Sequence, residues 1–137
     1  HTDTLGCIGR KLSVLRACRL VLRPGGRMGF FTIYVSEGLA PAAYDKALQS
    51  GPSYVSTRRR NHRDLLASAG FQRVDEVDLT AEFLATTRAW LDGRERLRDD
   101  LIEAEGAAAF DERQGDSRVQ AEAIEAGLLK RSLFLCS

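Results

Sequence analysis

The sequence predicts an α/β fold in which helices pack against a small sheet. Segments with helical spacing of apolar residues alternate with short aromatic and β-branched runs, and Gly or Pro residues separate them. The chain has 137 residues, 44% apolar and 28% charged, which suffices for one hydrophobic core. This composition excludes disordered and fibrous classes, and no apolar run has the length of a membrane-spanning helix. We therefore expect residues 1–137 to form a single α/β domain.

The first helix and the first strand are predicted over residues 10–22 and 27–35. Pro24 ends the helix, because the residue before a proline avoids the α conformation, and the glycines after it permit a tight turn. The strand has aromatic and β-branched residues on both faces, which is typical of a strand covered on both sides in a parallel sheet. The apolar face of the helix is predicted to consist of Val14, Leu15, Cys18, Val21 and Leu22.

The next segment, residues 36–56, contains several Gly and Pro residues and predicts a loop around a short helix over residues 42–49. Asn61 then caps a helix over residues 62–69, and Gly70 is placed to end it. The face of this helix toward the core is predicted to contain Leu65, Leu66 and Ala69.

A second strand is predicted over residues 71–80, with Thr80 as the cap of a long helix that begins at Ala81. Further helical sequence covers residues 107–126 with a break at Gly115, and a third strand covers residues 128–136. One stripe of the long helix is predicted to contain Phe83, Thr87, Trp90, Leu97 and Leu101.

Charge and cysteine content favour a cytoplasmic protein without a metal site. Residues 1–60 contain ten Lys and Arg against three Asp and Glu, whereas residues 61–137 contain ten against sixteen. This asymmetry indicates either a basic binding face or two neighbouring parts of one surface. The cysteines are odd in number and lack a C-x-x-C pair, which predicts reduced thiols, and with two histidines they are too few for a zinc site.

Three segments resemble the C-terminal half of class I S-adenosylmethionine-dependent methyltransferases. They are RACRLVLRPGGRMGFF (16–31), LLASAGFQRVDEVDLT (65–80) and EAGLLKRSLFLC (125–136). In that family a Pro-Gly-Gly turn leads into the fifth strand, an L-x-x-A-G-F helix end leads into the sixth, and an antiparallel seventh strand completes the sheet. The resemblance implies a partial Rossmann-like sheet of strands 5, 6 and 7 with flanking helices. It also implies a helical insertion at about 81–126.

The family's cofactor-binding features do not occur in this sequence. Members hold S-adenosylmethionine with a glycine-rich turn after the first strand and an acidic residue at the end of the second. Gly25, Gly26 and Gly29 follow a helix and precede a strand, the reverse of the order that such a turn requires. The chain also begins with His1 instead of Met. We therefore expect a fragment without the cofactor-binding half, which alone is inactive and does not bind the cofactor tightly.

The resemblance implies two sets of site residues, and it leaves the catalytic residues unknown because methyl transfer requires no catalytic side chain in this part of the family's fold. His1 and Asp3 would lie in the loop after the fourth strand, beside the cofactor; the alternative is a solvated terminus. Tyr34 lies at the carboxyl end of a strand and would line the pocket of a small-molecule acceptor, unless it is a packed aromatic residue. Phe83 and Trp90 would lie under a lid over that acceptor; the alternative is ordinary core packing.

Two further hypotheses concern binding instead of catalysis. The first is a non-catalytic homo-oligomer that assembles through the exposed edge of the strand at residues 27–35 or through adjacent helix faces. The second is an anion or nucleic-acid binding module that uses Arg58, Arg59, Arg60 and Arg63, with His62 in the same basic run. The run lacks interleaved aromatic residues and the pI is about 7.9, which favour a solvated loop over a nucleic-acid interface.

Overall fold

The computed structural model describes residues 3–55 and 60–137, so His1, Arg58 and Arg59 lie outside the described residues. A short 3₁₀ turn at Thr4–Cys7 precedes the first helix. The helices are α1 (Lys11–Val21), α2 (Pro41–Ser50), α3 (His62–Ser68), α4 (Thr80–Arg96), α5 (Arg98–Glu105) and α6 (Ala107–Glu125). The strands are β1 (Met28–Val35), β2 (Val74–Asp78) and β3 (Leu129–Cys136).

The strands form one sheet in the order β1-β3-β2. β3 is antiparallel to both neighbours, with Phe30 opposite Phe134 on one side and Val77 opposite Leu133 on the other. The predicted antiparallel final strand is therefore confirmed. β1 and β2 run in the same direction but are not adjacent. Within the described residues β1 has no parallel neighbour, contrary to the parallel pairing that its composition predicted.

One face of the sheet packs against α1 and α3. Phe30 and Phe134 stack with their ring centroids 5.5 Å apart and are almost fully buried. Because side chains alternate between faces along a strand, residues two positions before or after Phe30 and Phe134 point to the same face as these two rings. The buried residues of this cluster are Leu5, Leu15, Phe30, Leu65, Leu66, Ala69, Phe71, Phe134 and Cys136. They include all three residues predicted for the core face of α3.

The opposite face packs against α2, α4 and α6. Its buried residues are Ile33, Ala47, Val55, Phe83, Ala123, Ile124, Leu128 and Leu129. Both faces of β1 are therefore covered, as predicted, although its neighbour is antiparallel. Helices on two sides of a central sheet make the α/β layering that the alternation of elements predicted.

β1 lies at the edge of the sheet, as the oligomer hypothesis requires. Ser36 donates its backbone N–H to Leu128 O at 3.0 Å, so the even-numbered residues of β1 bond to β3 and the odd-numbered backbone groups point away. Asp3 uses one of these groups, donating its N–H to Phe31 O at 3.0 Å. The first described residues therefore cover the middle of this edge.

The predicted turn after α1 and the predicted cap of α3 are confirmed. Gly25 has a φ of 75°, and Gly26 donates its N–H to Arg23 O at 2.8 Å, which closes the turn after α1. Asn61 Oδ1 accepts the N–H of Asp64 at 2.7 Å, which satisfies one of the free donors at the start of α3.

The predicted cap at Thr80 is wrong. Thr80 is itself the first residue of α4, and its N–H donates to Asp78 Oδ1 at 2.9 Å. The Thr80 hydroxyl instead accepts the backbone N–H of Arg131 in β3 at 3.2 Å. The carboxylate at the start of α4 therefore comes from Asp78, the last residue of β2. Its negative charge is favourable beside the free N–H groups of the helix. The strand is also shorter than predicted, and Phe71 lies in the core before it starts.

The predicted break at Gly115 is wrong as well. α6 continues through Gly115, because one interior glycine costs only about 1 kcal/mol and the helix packs against α4. The interruption lies at Gly106, whose φ of 88° separates α5 from α6. With a ψ of 149° this is an extended, non-helical conformation that essentially only glycine adopts, and it stops the helix.

Two apolar faces differ from the prediction. On α4, Phe83 and Thr87 are buried, but the Trp90 side chain is 67% exposed, and Leu97, directly after the helix, is 55% exposed. On α1, Leu15 is buried but Val21 is 82% exposed, because the helix ends there and turns away from the core. Helical spacing indicates which residues share a face of a helix. How many of those residues are buried depends on the length of the element that packs against that face.

The far end of the α4–α6 insertion has its own packed centre. Phe110 is fully buried, with the guanidinium groups of Arg94 and Arg98 at 5.0 and 4.9 Å from its ring centroid. Glu105 pairs with both Arg94 and Arg113. Cation–π contacts and ion pairs therefore hold α5 against its two neighbours.

Candidate functional site

Two adjoining cavities open at the carboxyl end of β1. The first has a volume of about 360 Å³ and the second about 590 Å³. β1, the loop after it and the N-terminus of α3 form their common wall. The residues shared by both linings are Tyr34, Ser36, Glu37, Leu39, Asn61 and His62. We call this pair of cavities the strand-end cavity; its position is where α/β sheets commonly bind ligands.

Tyr34 is held in this wall by two hydrogen bonds. Its hydroxyl donates to Glu76 Oε1 at 2.9 Å and lies 2.9 Å from Ser132 Oγ. Burial raises the pKa of the phenol above its usual value, and the carboxylate of Glu76 raises it further. Tyr34 therefore remains protonated and presents a fixed hydroxyl and ring at the strand end.

Arg63 fixes the carboxylate that Tyr34 uses. Its Nε lies 3.2 Å from Glu76 Oε2, and its Nη1 donates to Val74 O at 2.9 Å. A guanidinium group that binds a carboxylate and a carbonyl together has a defined orientation. The charge of Arg63 is therefore compensated within the wall.

His62 is a buried and neutral side chain of the cavity lining. It is 3% exposed, with its ring centroid 5.2 Å from that of Tyr34 and 5.3 Å from that of Phe134. Burial lowers its pKa to about 4; the positive charge of Lys11 lowers it further, whereas Glu76 opposes the shift. At neutral pH His62 is therefore uncharged, and it adds no positive charge to the basic run in which its sequence position places it.

Two buried polar atoms in the lining lack hydrogen-bond partners in the described part of the chain. They are Nε2 of His62 and Oγ of Ser36, a residue that is 8% exposed. A buried polar atom without a partner costs about 1–3 kcal/mol, and native structures satisfy most of them with protein, water or ligand. Both residues line the strand-end cavity, so a molecule bound there has two polar groups available to it.

The remaining charges of the lining differ in how they are compensated. Glu37 is exposed, and across residues 3–55 and 60–137 its carboxylate forms no hydrogen bond or ion pair. Arg60 donates to Ser68 Oγ at 2.7 Å, along α3. Lys130 lies 3.6 Å from the Asp78 carboxylate. The basic residues are thus engaged by other groups, whereas Glu37 is available to a ligand.

Asp3, which we predicted to bind the cofactor, is engaged in an ion pair. Arg131 reaches both of its oxygens, with Nε 3.1 Å from Oδ1 and Nη2 2.8 Å from Oδ2. The guanidinium group also lies 5.0 Å from the Phe31 ring centroid. Arg131 follows Lys130, the partner of Tyr34, and therefore points to the opposite face of the sheet. Asp3 and Tyr34 are not brought together.

The two predicted lid residues lie in a different place from Tyr34. Phe83 and Trp90 line a cavity of about 210 Å³ between α4 and α6, together with Thr86, Thr87, Ser117 and Gln120. Phe83 packs in the core on the sheet face away from Tyr34. The structure therefore separates Phe83 and Trp90 from the strand-end cavity.

Sequence reasoning identified Tyr34 and missed its neighbours in the cavity. Ser36 and Glu37 directly follow the strand that Tyr34 ends, so their position in the first loop after a strand was a usable signal. His62 was visible only as a member of a basic run. Nothing in the local sequence signals that Glu76, on another strand, bonds to Tyr34.

The side chains and helices of the described residues meet neither the requirements of a metal site nor those of a membrane-spanning helix. No group of three or more His, Cys, Asp or Glu side chains is placed to hold a metal ion. Among the same residues, no helix is both long and apolar enough to cross a membrane.

The fold is similar to parts of several methyltransferases. Phosphoethanolamine N-methyltransferase 2 from Haemonchus contortus superposes with a TM-score of 0.82 at 14% identity, over 98% of this chain and 32% of that one. A putative sarcosine dimethylglycine methyltransferase from Galdieria sulphuraria has a TM-score of 0.82 at 15% identity, over 98% and 50%. A cyclopropane synthase from Mycobacterium tuberculosis has a TM-score of 0.75 at 14% identity, over 99% and 53%.

These matches show the fold. The first of the three was solved with phosphomonomethylethanolamine and S-adenosylhomocysteine. This chain spans about a third to a half of the length of these proteins. No protein-family model and no curated protein sequence matches the chain. The predicted partial Rossmann-like methyltransferase sheet is confirmed.

Proposed function

We propose that this chain is the acceptor-binding part of an S-adenosylmethionine-dependent methyltransferase that acts on a small molecule. The observation that supports this most is the strand-end cavity. It lies at the carboxyl end of β1, has a volume suited to a small ligand, and contains unpartnered buried polar atoms. The fold of the three methyltransferases supports the reaction class.

In this proposal the cofactor is held mainly by residues outside these 137. Two features support this: Asp3 is engaged by Arg131, and none of the turns that lead from a described strand to a described helix is glycine-rich. In this proposal S-adenosylmethionine supplies the methyl group and binds residues outside these 137. The contribution of this chain is to bind the acceptor and hold it in position. The free state of Cys7, Cys18 and Cys136 supports a cytoplasmic location as part of the proposal.

Calorimetric titration with S-adenosylhomocysteine tests the division of roles. We expect no measurable binding to residues 1–137 alone, and clear binding to a longer protein that includes them. Micromolar affinity for the isolated chain would contradict the assignment of the cofactor to other residues. Absence of binding by the longer protein would contradict the methyltransferase proposal itself.

A matched pair of variants of the longer protein then tests the cavity. Tyr34→Phe removes the hydroxyl that bonds to Glu76, whereas Tyr54→Phe alters a side chain that is 53% exposed. Tyr34→Phe should raise the KM for the acceptor by about tenfold, with the KM for S-adenosylmethionine unchanged. Tyr54→Phe should change neither constant. Equal effects of the two variants would place the acceptor elsewhere.

The second candidate function, a homo-oligomer, is supported by the part of the β1 edge that lies beyond the bond from Asp3 to Phe31. The backbone groups of Val35 point away from β3, and such groups pair with strands of other chains. The exposed apolar residues Leu20 and Val21 offer a helix face as an alternative contact. We expect light scattering to give a dimer, and a dimer that persists in Leu20→Glu would favour the strand edge. A stable monomer at high concentration would exclude both contacts.

A further inference from the structure

We propose that the strand-end cavity selects a protonated amine, so that the acceptor is a small cationic molecule recognised through its ammonium group. This inference rests on the proposed function, because it assigns a chemical class to the acceptor of that reaction. It depends on three features of the lining, namely its unpartnered acceptors, its charges and its aromatic rings.

The unpartnered atoms of the lining suit a ligand that donates hydrogen bonds. An ammonium group has only donors. Ser36 Oγ accepts such bonds, and so does Nε2 of an uncharged His62 with its proton on Nδ1. Ser36 is 8% exposed and His62 3% exposed, so both bonds would form in a site largely shielded from water. Each bond would satisfy an atom that is otherwise buried without a partner.

The charges of the lining also favour a cation. Glu37 has a carboxylate without a partner among the described residues, whereas Arg63 is paired with Glu76 and Lys130 with Asp78. The third cation of the lining, Arg60, donates to Ser68 Oγ and to the carbonyl of Asp64. An anionic ligand would have to compete with these partners for each cation and would face the Glu37 carboxylate. A cationic ligand meets Glu37 directly and disturbs neither pair.

The aromatic rings complete the site. Tyr34 and Tyr44 line the first cavity, and the rings of aromatic residues attract cations through their faces. His62, buried against Tyr34, adds no positive charge that would oppose the ligand. Binding of a cation therefore needs no rearrangement of the protonation states in the wall.

Three probes of the same shape and different charge test the inference on residues 1–137. Benzylamine is a cation at neutral pH, benzyl alcohol is neutral, and benzoate is an anion. Titrations followed by protein NMR should show that benzylamine binds at least about tenfold more tightly than benzyl alcohol, with benzoate weaker still. The largest shifts of backbone amide signals should occur at residues 36–39 and 61–63. Equal binding of the three probes, or preference for benzoate, would overturn the inference.

Three variants locate the cation. Glu37→Gln should weaken benzylamine binding by about fivefold or more, whereas Glu103→Gln, an exposed residue of α5, should not change it. Ser36→Ala removes a hydroxyl that has no hydrogen-bond partner among the described residues, so the melting temperature should stay unchanged or rise while benzylamine binding weakens. Unchanged binding in both Glu37→Gln and Ser36→Ala would place the amine outside the cavity.

The outcomes separate this inference from the proposed function. If the chain binds benzylamine selectively but the longer protein transfers no methyl group, the amine site is supported and the methyltransferase proposal is contradicted. If the longer protein methylates only neutral or anionic acceptors and the chain does not bind benzylamine selectively, the methyltransferase proposal is supported and the amine inference is contradicted.

Discussion

Leu15→Ala should lower the free energy of unfolding by about 3 kcal/mol, a large part of the 5–15 kcal/mol that is typical of a domain. Leu15 is fully buried in α1 and belongs to the cluster that packs α1 and α3 against the sheet. Removal of its side chain loses apolar burial and leaves a cavity, because Phe30 and Leu66, in the same cluster, are also fully buried. Urea unfolding followed by circular dichroism measures the loss.

The control for this prediction lies in the same helix. Leu20 is 85% exposed, so Leu20→Ala removes the same atoms from a solvated position. It should change the free energy of unfolding by less than about 0.5 kcal/mol. Comparable losses in the two variants would mean that the core does not include α1 in the way described.

The second large effect concerns pH. His62 is buried as the neutral form with a pKa of about 4, whereas an unfolded histidine titrates near 6.5. Between these pH values the imidazole of His62 is protonated in the unfolded chain and neutral in the folded chain. Stability should therefore fall as the pH decreases from about 6.5 to 4, by on the order of 3 kcal/mol in total. Lys11 strengthens this effect, and Glu76 weakens it.

Urea unfolding of the wild type and of His62→Phe at pH 7, 5.5 and 4.5 isolates the contribution. Phenylalanine keeps an aromatic ring beside Tyr34 and Phe134 but cannot be protonated. The variant should lose little stability over this range. Asp78, whose pKa is lowered chiefly by its hydrogen bond from Thr80, contributes a loss at lower pH in both proteins. Parallel curves for the wild type and the variant would show that His62 is not the group responsible.

The regular elements were predictable because their signals are local. Pro24 and Gly25 end α1 and form the turn before β1, and Asn61 caps α3, all within a few residues of the elements they define. The cap of α4 was mispredicted because Asp78 and Thr80 are both suitable residues, and the choice depends on a bond from Thr80 to β3. That bond joins residues 51 positions apart, which no local pattern reports.

The candidate site was predictable only at its first residue. Tyr34 was identified from its place at the end of a strand, whereas its environment comes from Glu76 and Ser132, which are 42 and 98 positions away. The exposure of Trp90 was mispredicted for a related reason. Its helical spacing is that of a buried residue, but α6 covers only part of α4.

The packed centre around Phe110 has a consequence for how this chain tolerates change. α5 has no buried residues of its own and is held by Arg94, Arg98 and Arg113, while the part of the insertion near the sheet is held by Phe83 and Ile124. α5 therefore depends on its neighbouring helices, whereas α4 and α6 also pack against β3. We expect that a loop of another length can replace α5 while the strand-end cavity keeps its walls. The fold thus places α5 apart from the residues that line the cavity.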